Sequence, residues 1–190
     1  MIRNLLNRLF ATSLFTLVTT GQALAADPAA HLLAHPLGLN NSLIRRSLWQ
    51  RIGGCDESLA MWEDADVHFR LALAGARWRH HAEVLTWSLR HATSFSHNLR
   101  RNWACRLAAL EKYAATPAAR RLEPLIASEA AKAAAHLLAH GAPADARSAL
   151  ALNHRLGGDA PETAHPVLRL AKVFLPALTI LRLQNLRRQR

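Results

Sequence analysis

The sequence predicts an α/β chain that is mainly helical, with a few short strands followed by an α-helical tail. Three observations carry this. The composition is rich in alanine and leucine, 51% apolar and only 6% aromatic, which favours helices over a β-sandwich. Strand-like runs are confined to two short stretches, Ser42-Leu43-Ile44 and Leu85 to Leu89. Beyond Thr116-Pro117 the pattern is helical throughout. With 190 residues the chain fits one ordinary domain, or a small domain with an appendage. The apolar half is enough to build a core, so wholesale disorder is excluded.

Taken in order, the first 25 residues fit two descriptions. Arg3 and Arg8, the apolar run Leu9 to Val18 and the ending Ala23-Leu24-Ala25 are the three parts of a secretory signal peptide. The same segment also spaces Leu5, Leu6, Leu9, Phe10, Leu14, Leu17 and Val18 as a buried helix. It is short and threonine-rich for a transmembrane helix. Asp27-Pro28 and His35-Pro36-Leu37-Gly38 then interrupt regular structure. Ser42-Leu43-Ile44 reads as a strand leading into Arg45-Arg46. Ser47 is the expected N-cap of a short helix, Leu48 to Ile52, ended by Gly53-Gly54.

After the loop Cys55 to Trp62, a helix is expected from Glu63 to Ala74, with Gly75 as its stop. Glu63, Asp64 and Asp66 suit the positive end of its dipole. Val67, Phe69, Leu71 and Leu73 bury most of it. Asp66 and Arg70 fall four apart on the remaining polar stripe, a pair worth about 0.2–0.5 kcal/mol. Leu85, Trp87 and Leu89 alternate with Thr86, Ser88 and Arg90 as a strand with one buried face. Asn98 to Tyr113 returns to helical spacing. Leu122 to His140 and Pro143 to Leu156 form an alanine-rich hairpin around Gly141, closed by Gly157-Gly158. Val167 to Arg190 is a last helix, kinked at Pro176. Its apolar stretch ends in Arg182, Arg187, Arg188 and Arg190, which suits an anionic membrane surface and equally a helix packed on its own domain. The expected regions are an N-terminal helix in 1–40, a central region in 41–115 and a helical hairpin with a basic last helix in 116–190.

The formal charge is +11, nearly all of it arginine; Lys112, Lys132 and Lys172 are the only lysines. Such a charge attracts nucleic acid, anionic lipid or a nucleotide diphosphate alike. No zinc-finger spacing or RNA-binding signature accompanies it, so no specific nucleic-acid partner is expected. Cys55 and Cys105 lie far apart in sequence and form neither a zinc ribbon nor a CxxC pair. They are expected as buried free thiols, with a disulfide an option only on export. His80-His81-Ala82-Glu83 contains His-x-Glu, but no Pro-Cys-x-x-Cys follows, and neither His-Glu-x-x-His nor Gly-x-Ser-x-Gly occurs. Most of the eleven histidines are therefore expected at the surface or the core edge.

The chemistry-bearing run is Asn41 to Gly75. A glycine pair makes a tight loop ending in Asp56-Glu57, and a second acidic pair, Glu63-Asp64, sits at the mouth of a buried helix. A carboxylate there is held ionised by backbone N–H groups and the dipole, and can accept a proton. In order and spacing this run resembles the family 2 glycosyltransferases of GT-A type. That family shows a strand ending in Arg-Arg, a short helix, Gly-Gly-Phe-Asp-Glu, a Glu-Asp several residues on, then Arg-Leu and Gly. The match continues into Leu89-Arg-His-Ala-Thr-Ser-Phe-Ser96, which is similar to the family's Arg-x-His-x-x-Ser-x-Ser segment. The resemblance spans Asn41 to Ser96.

The resemblance implies the C-terminal, acceptor-side half of a GT-A (Rossmann-like) fold and the inverting transfer of a sugar. The donor would be a nucleotide sugar, the acceptor a hydroxyl on a glycan or lipid-linked molecule. Asp64 would be the general base and Glu63 its neighbour in the acceptor pocket. Gly54, Asp56, Glu57 and Trp62 would border the acceptor, and His91 matches a histidine that approaches the metal or the donor diphosphate. A divalent cation, Mg or Mn, is implied as cofactor. Cys55 departs from the family's aromatic at that position. The donor-binding strands and their Asp-x-Asp motif do not precede Asn41, and Asp64-Ala65-Asp66 opens a helix instead of following a strand. The expectation is thus a chain without the usual donor half, cytoplasmic because its donor is made there, with a peripheral place on the inner membrane face open to it. The alternative is an exported basic helical protein that binds or builds without catalysis.

Overall fold

In the computed structural model, which describes residues 9–10, 26–79, 88–89, 97–160 and 175–188, helix predominates as expected. Residues 1–8, 11–25, 80–87, 90–96, 161–174 and 189–190 lie outside the described residues. With them go the body of the signal-peptide-like segment, the 80–83 run, His91 with its segment, and the start of the last predicted helix. The chain divides into two units, Met1–His97 and Asn98–Arg190.

In the first unit, α1 (Pro28–Ala34) begins where Asp27 accepts hydrogen bonds from the N–H groups of Ala29 and Ala30 at 3.0 and 3.1 Å. Proline at its first position loses nothing, because that N–H has no helical partner. Ala29, Leu32 and Leu33 are buried against α3. A 3-10 turn, Leu39–Asn41, follows. Helix α2 (Arg46–Ile52) starts after Arg45, without a side-chain cap; Ser47 lies inside the helix and is not its N-cap. Gly53 adopts φ 77° and closes a Schellman motif, in which Gly53 N–H bonds Gln50 O and Gly54 N–H bonds Trp49 O. Helix α3 (Glu63–Leu73) buries Ala65, Val67, Phe69 and Leu71 and ends before Gly75, as its pattern predicts.

The predicted strand at Ser42–Ile44 does not form. Residues 42–45 lie between elements with extended backbone at Ser42 and Arg45, and Leu43 is fully exposed. A strand is stable only with a neighbour to share its hydrogen bonds, and none lies beside this one among the described residues. Of the second predicted strand, Ser88–Leu89 (β2) pairs antiparallel with Leu9–Phe10 (β1), Leu9 opposite Leu89. This two-residue ladder is the whole of the sheet among the described residues; no Rossmann-like sheet is found there.

The second unit is helical. Asn98 caps α4 (Leu99–Ala114) by accepting from Arg101 N–H at 3.0 Å. A 3-10 segment, Pro117–Leu122, leads into α5 (Glu123–Ala139), and α6 (Pro143–Arg155) folds back on it. Ala127, Ala130 and Ala134 on α5 and Ala146 and Ala149 on α6 are buried. Small residues at helical spacing let two helix backbones approach closely, so van der Waals contact replaces side-chain bulk. Asn153 is buried in this unit, donating to Ala127 O at 2.8 Å and accepting from Ala160 N–H at 2.9 Å. Helix α7 (Ala177–Arg188) buries Ile180 and Leu181 and packs on α5 and α6. Pro176 stands ahead of this helix, its carbonyl accepting from Thr179 N–H; the predicted kink also rests on 167–174, which lie outside the described residues. Among the described residues no helix is long and apolar enough to cross a membrane.

Candidate functional site

The acidic pair stands where α3 begins, and the backbone there is under strain. Trp62 precedes the helix with φ 72°, ψ 10°, the one non-glycine residue in the left-handed region among the described residues, and makes no side-chain cap. Holding a bulky residue there costs about 1–3 kcal/mol. Its carbonyl accepts from Asp66 N–H at 2.9 Å, which starts the helix. Glu63, next in line, is exposed.

Asp64 is half-buried, and its Oδ1 accepts from Ala65 N–H at 2.7 Å. Burial pushes its carboxyl above the ordinary 3.8, and the backbone N–H groups of Ala65 and Asp64 only partly offset this. The carboxylate is therefore a stronger base than a solvated aspartate. Gly38 lies close by: a Cβ there would sit 3.8 Å from Asp64 Oδ2 and 2.7 Å from Asn40 Oδ1. Any larger residue at 38 would displace Asn40 and crowd the carboxylate. The polar rim of Gly38, Asn40 and Asn41 was not legible in advance, because it is brought to Asp64 from 23–26 residues away.

One turn along α3 lies His68, fully buried. Its Nε2 is 2.7 Å from Ser42 Oγ, an O–H···N or N–H···O bond according to the tautomer. Its Nδ1 is buried without a hydrogen bond of good geometry, and its ring lies 5.7 Å, centroid to centroid, from that of Trp78. Burial lowers the affinity of His68 for a proton; the Asp64 and Leu37 carbonyls raise it by less. Among the described residues it is the one buried histidine; the others are exposed or part-buried, as expected of most of them. The i, i+4 spacing from Asp64 was the available signal, and it places both on one face of the helix.

Arg70 is the second residue whose role the sequence understated. Its Nε donates to Asp66 Oδ2 at 2.7 Å, its NH1 to Ile52 O, and its NH2 to Gly54 O at 2.6 Å. Asp66 is fully buried, so this is no solvated pair on a polar stripe. The guanidinium fastens the Gly53-Gly54 turn to α3. Gly54 is required there on two counts. Its φ is 73°, and a Cβ would lie 3.2 Å from Trp49 Nε1.

The remaining acceptor-side residues are placed as follows. Asp56 turns back on its own loop, accepting from Ser58 N–H at 2.9 Å and from the Ser58 hydroxyl at 2.6 Å. Glu57 is exposed and Trp62 half-buried. Cys55 is an exposed free thiol and Cys105 a half-buried one, so neither is the buried thiol expected. A turn that puts Asp56 at a hydrogen-bonded bend leaves its neighbour Cys55 in solvent.

Among the described residues no group of three or more His, Cys, Asp or Glu gathers as a metal-ligand set. The arrangement supplies one half-buried base, one exposed carboxylate beside it, a strained tryptophan and a glycine-walled approach. Comparison with models of protein families, with characterised proteins and with solved structures yields no match to the chain.

Proposed function

We propose that this chain carries the acceptor side of an inverting, family 2-like glycosyltransferase, with Asp64 as the general base. The observation that supports it is the state of Asp64: a half-buried carboxylate at a helix N-terminus whose proton affinity is raised by burial. A base must take up a proton in the transition state, and a pKa moved toward neutrality makes that transfer less uphill.

In this reading an acceptor hydroxyl enters beside Gly38 and donates its proton to Asp64. Its oxygen attacks the anomeric carbon as the bond to the nucleotide diphosphate breaks on the opposite face, which inverts the configuration. Glu63, exposed beside it, accepts hydrogen bonds from other acceptor hydroxyls. The Trp62 indole offers an apolar face to a sugar ring. Arg70 holds the loop of Gly54, Asp56 and Glu57 on the same helix. The Mg or Mn that the resemblance implies has no ligand set among the described residues, so no step is assigned to it. Acceptors of glycan or lipid-linked type, a cytoplasmic place and a peripheral position at an anionic membrane face through the basic α7 belong to the same proposal.

The test is sugar transfer from a panel of nucleotide sugars, measured for the chain alone and for the protein extended through its upstream reading frame. Asp64→Asn should lower transfer by about a hundredfold or more, at the lower end of what general bases contribute. The same substitution should leave the fold as stable at pH 7 or firmer. A folded-state carboxyl pKa above its unfolded value means that the native state binds more protons between the two, so stability falls as pH rises through that window. Removing the charge removes that loss. Full transfer activity in Asp64→Asn would falsify the assignment.

A further inference from the structure

Two histidine pairs stand four residues apart at helix ends with their rings facing: His31 on α1 with its C-cap residue His35, and His136 on α5 with its C-cap residue His140. Their geometries differ in a way that matters for metal binding. A zinc–imidazole bond is about 2.0–2.1 Å and the ring nitrogen lies about 1.1 Å from the ring centre, so two rings sharing one ion at about 90–110° have centroids about 4.5–5.2 Å apart. The His31 and His35 centroids are 4.9 Å apart with planes at 40°. Those of His136 and His140 are 6.5 Å apart and nearly parallel, at 11°. That spacing would demand an almost linear N–metal–N angle. His136 is also stacked on Trp103 at 4.0 Å and 6°, which opposes its turning toward His140.

We propose that His31 and His35 form a two-histidine site for a divalent transition metal, Zn²⁺ or Cu²⁺. Three further observations support it. The turn that sets the pair is closed by a hydrogen bond from His35 N–H to His31 O at 2.8 Å, so the spacing is fixed before any ion arrives. The pair sits at the C-terminal end of α1, where unpaired carbonyls favour a cation. Helix α1, which carries His31 and ends at His35, is itself anchored through buried Ala29, Leu32 and Leu33.

The chemical class follows from the donors. Neutral imidazoles suit Zn²⁺, Cu²⁺ and Ni²⁺ and not Mg²⁺, so this site is separate from the cation that sugar transfer would use. No third His, Cys, Asp or Glu completes it among the described residues, and the remaining positions are open to water. Three residues beyond His35 lies Gly38, beside Asp64. A bound ion would brace the segment that walls the Asp64 carboxylate.

The experiment is calorimetric titration of Zn²⁺ into the full chain and three variants, with amide exchange of α1 followed in parallel. Chelation by two linked ligands exceeds either alone by about a hundredfold, so His35→Gln and His31→Gln should each weaken the strongest Zn²⁺ site by that factor. His136→Gln should leave it unchanged. In the wild type Zn²⁺ should slow exchange in 28–35, and in His35→Gln it should not. His35 is exposed, so its substitution leaves the fold in place if His31→Gln does not. An unaltered Zn²⁺ affinity in His35→Gln, or a loss confined to His136→Gln, overturns the proposal.

Discussion

The two units are held together by different means. In the first, α1 and α2 have 7 residues each and α3 has 11. Helices this short are marginal on their own, so tertiary contacts must fix them. Polar groups do much of that fixing: Asp66 and Arg70 to the carbonyls of Ile52 and Gly54, and His68 to Ser42. In the second, α4, α5 and α6 run to 16, 17 and 13 residues, and an alanine seam supplies close contact over their length. Its buried polar side chains, Asn153 and Arg106 with Glu129, stand among 20 buried apolar residues, whereas Asp66 and His68 of the first unit stand among seven. The candidate site sits in the unit whose short elements are pinned by directional bonds. Such bonds set the position of a carboxylate more sharply than apolar contact does, and leave the unit more sensitive to single polar substitutions.

That contrast can be broken most directly at Arg70. Arg70→Leu leaves Asp66 buried without its guanidinium and strips both carbonyls of their donor, so it should destabilise the first unit by about 3–4 kcal/mol. Urea unfolding checks this in a Trp103→Phe background, since Trp103 is the only tryptophan of the second unit. The counterpart is Arg106→Leu. Arg106 is 1% exposed, held at 3.2 Å from Glu129, and burial lowers its hold on its proton. Lys132 Nζ remains 2.6 Å from Glu129 and softens the loss, so the expected cost is about 2 kcal/mol, with most of it recovered in Arg106→Leu with Glu129→Leu. Equal costs in the two units would erase the distinction.

The smallest expected effect is a slope. The folded-state pKa of His68 lies below the ordinary 6.5. Between the two values the unfolded chain binds more protons, so stability rises with pH, is fully present above 6.5 and is lost as pH falls through the folded value. Thermal melts between pH 5 and 7.5 should show the first unit weakening on the acid side. His68→Asn should flatten the curve.

Helix lengths and stops were legible because each is written locally. The run Glu63 to Ala74 shows its apolar face and its acidic start, and Gly75, Gly141 and Gly157 stand where left-handed residues close helices. The start of α3 at Glu63-Asp64 was legible for the same reason, since two carboxylates before an apolar helix mark its N-terminus. Ser42 and His68 meet across 26 residues, and periodicity carries no record of such a meeting. Arg70 was misjudged because i, i+4 spacing identifies its partner Asp66 but not the depth at which they pair. The strand at Ser42–Ile44 failed for a related reason: apolar residues in a short run show that a strand is possible, while its neighbours decide whether it exists.

Leu43 has a consequence for the protein as a colloid. A fully bare leucine on extended backbone is a place where copies can adhere, and a formal charge of +11 is what keeps them apart. That repulsion is screened within about 10 Å at 0.1 M salt and about 3 Å at 1 M, whereas the leucine is as sticky in brine as in water. Solutions should therefore cloud as salt is added and clear on dilution.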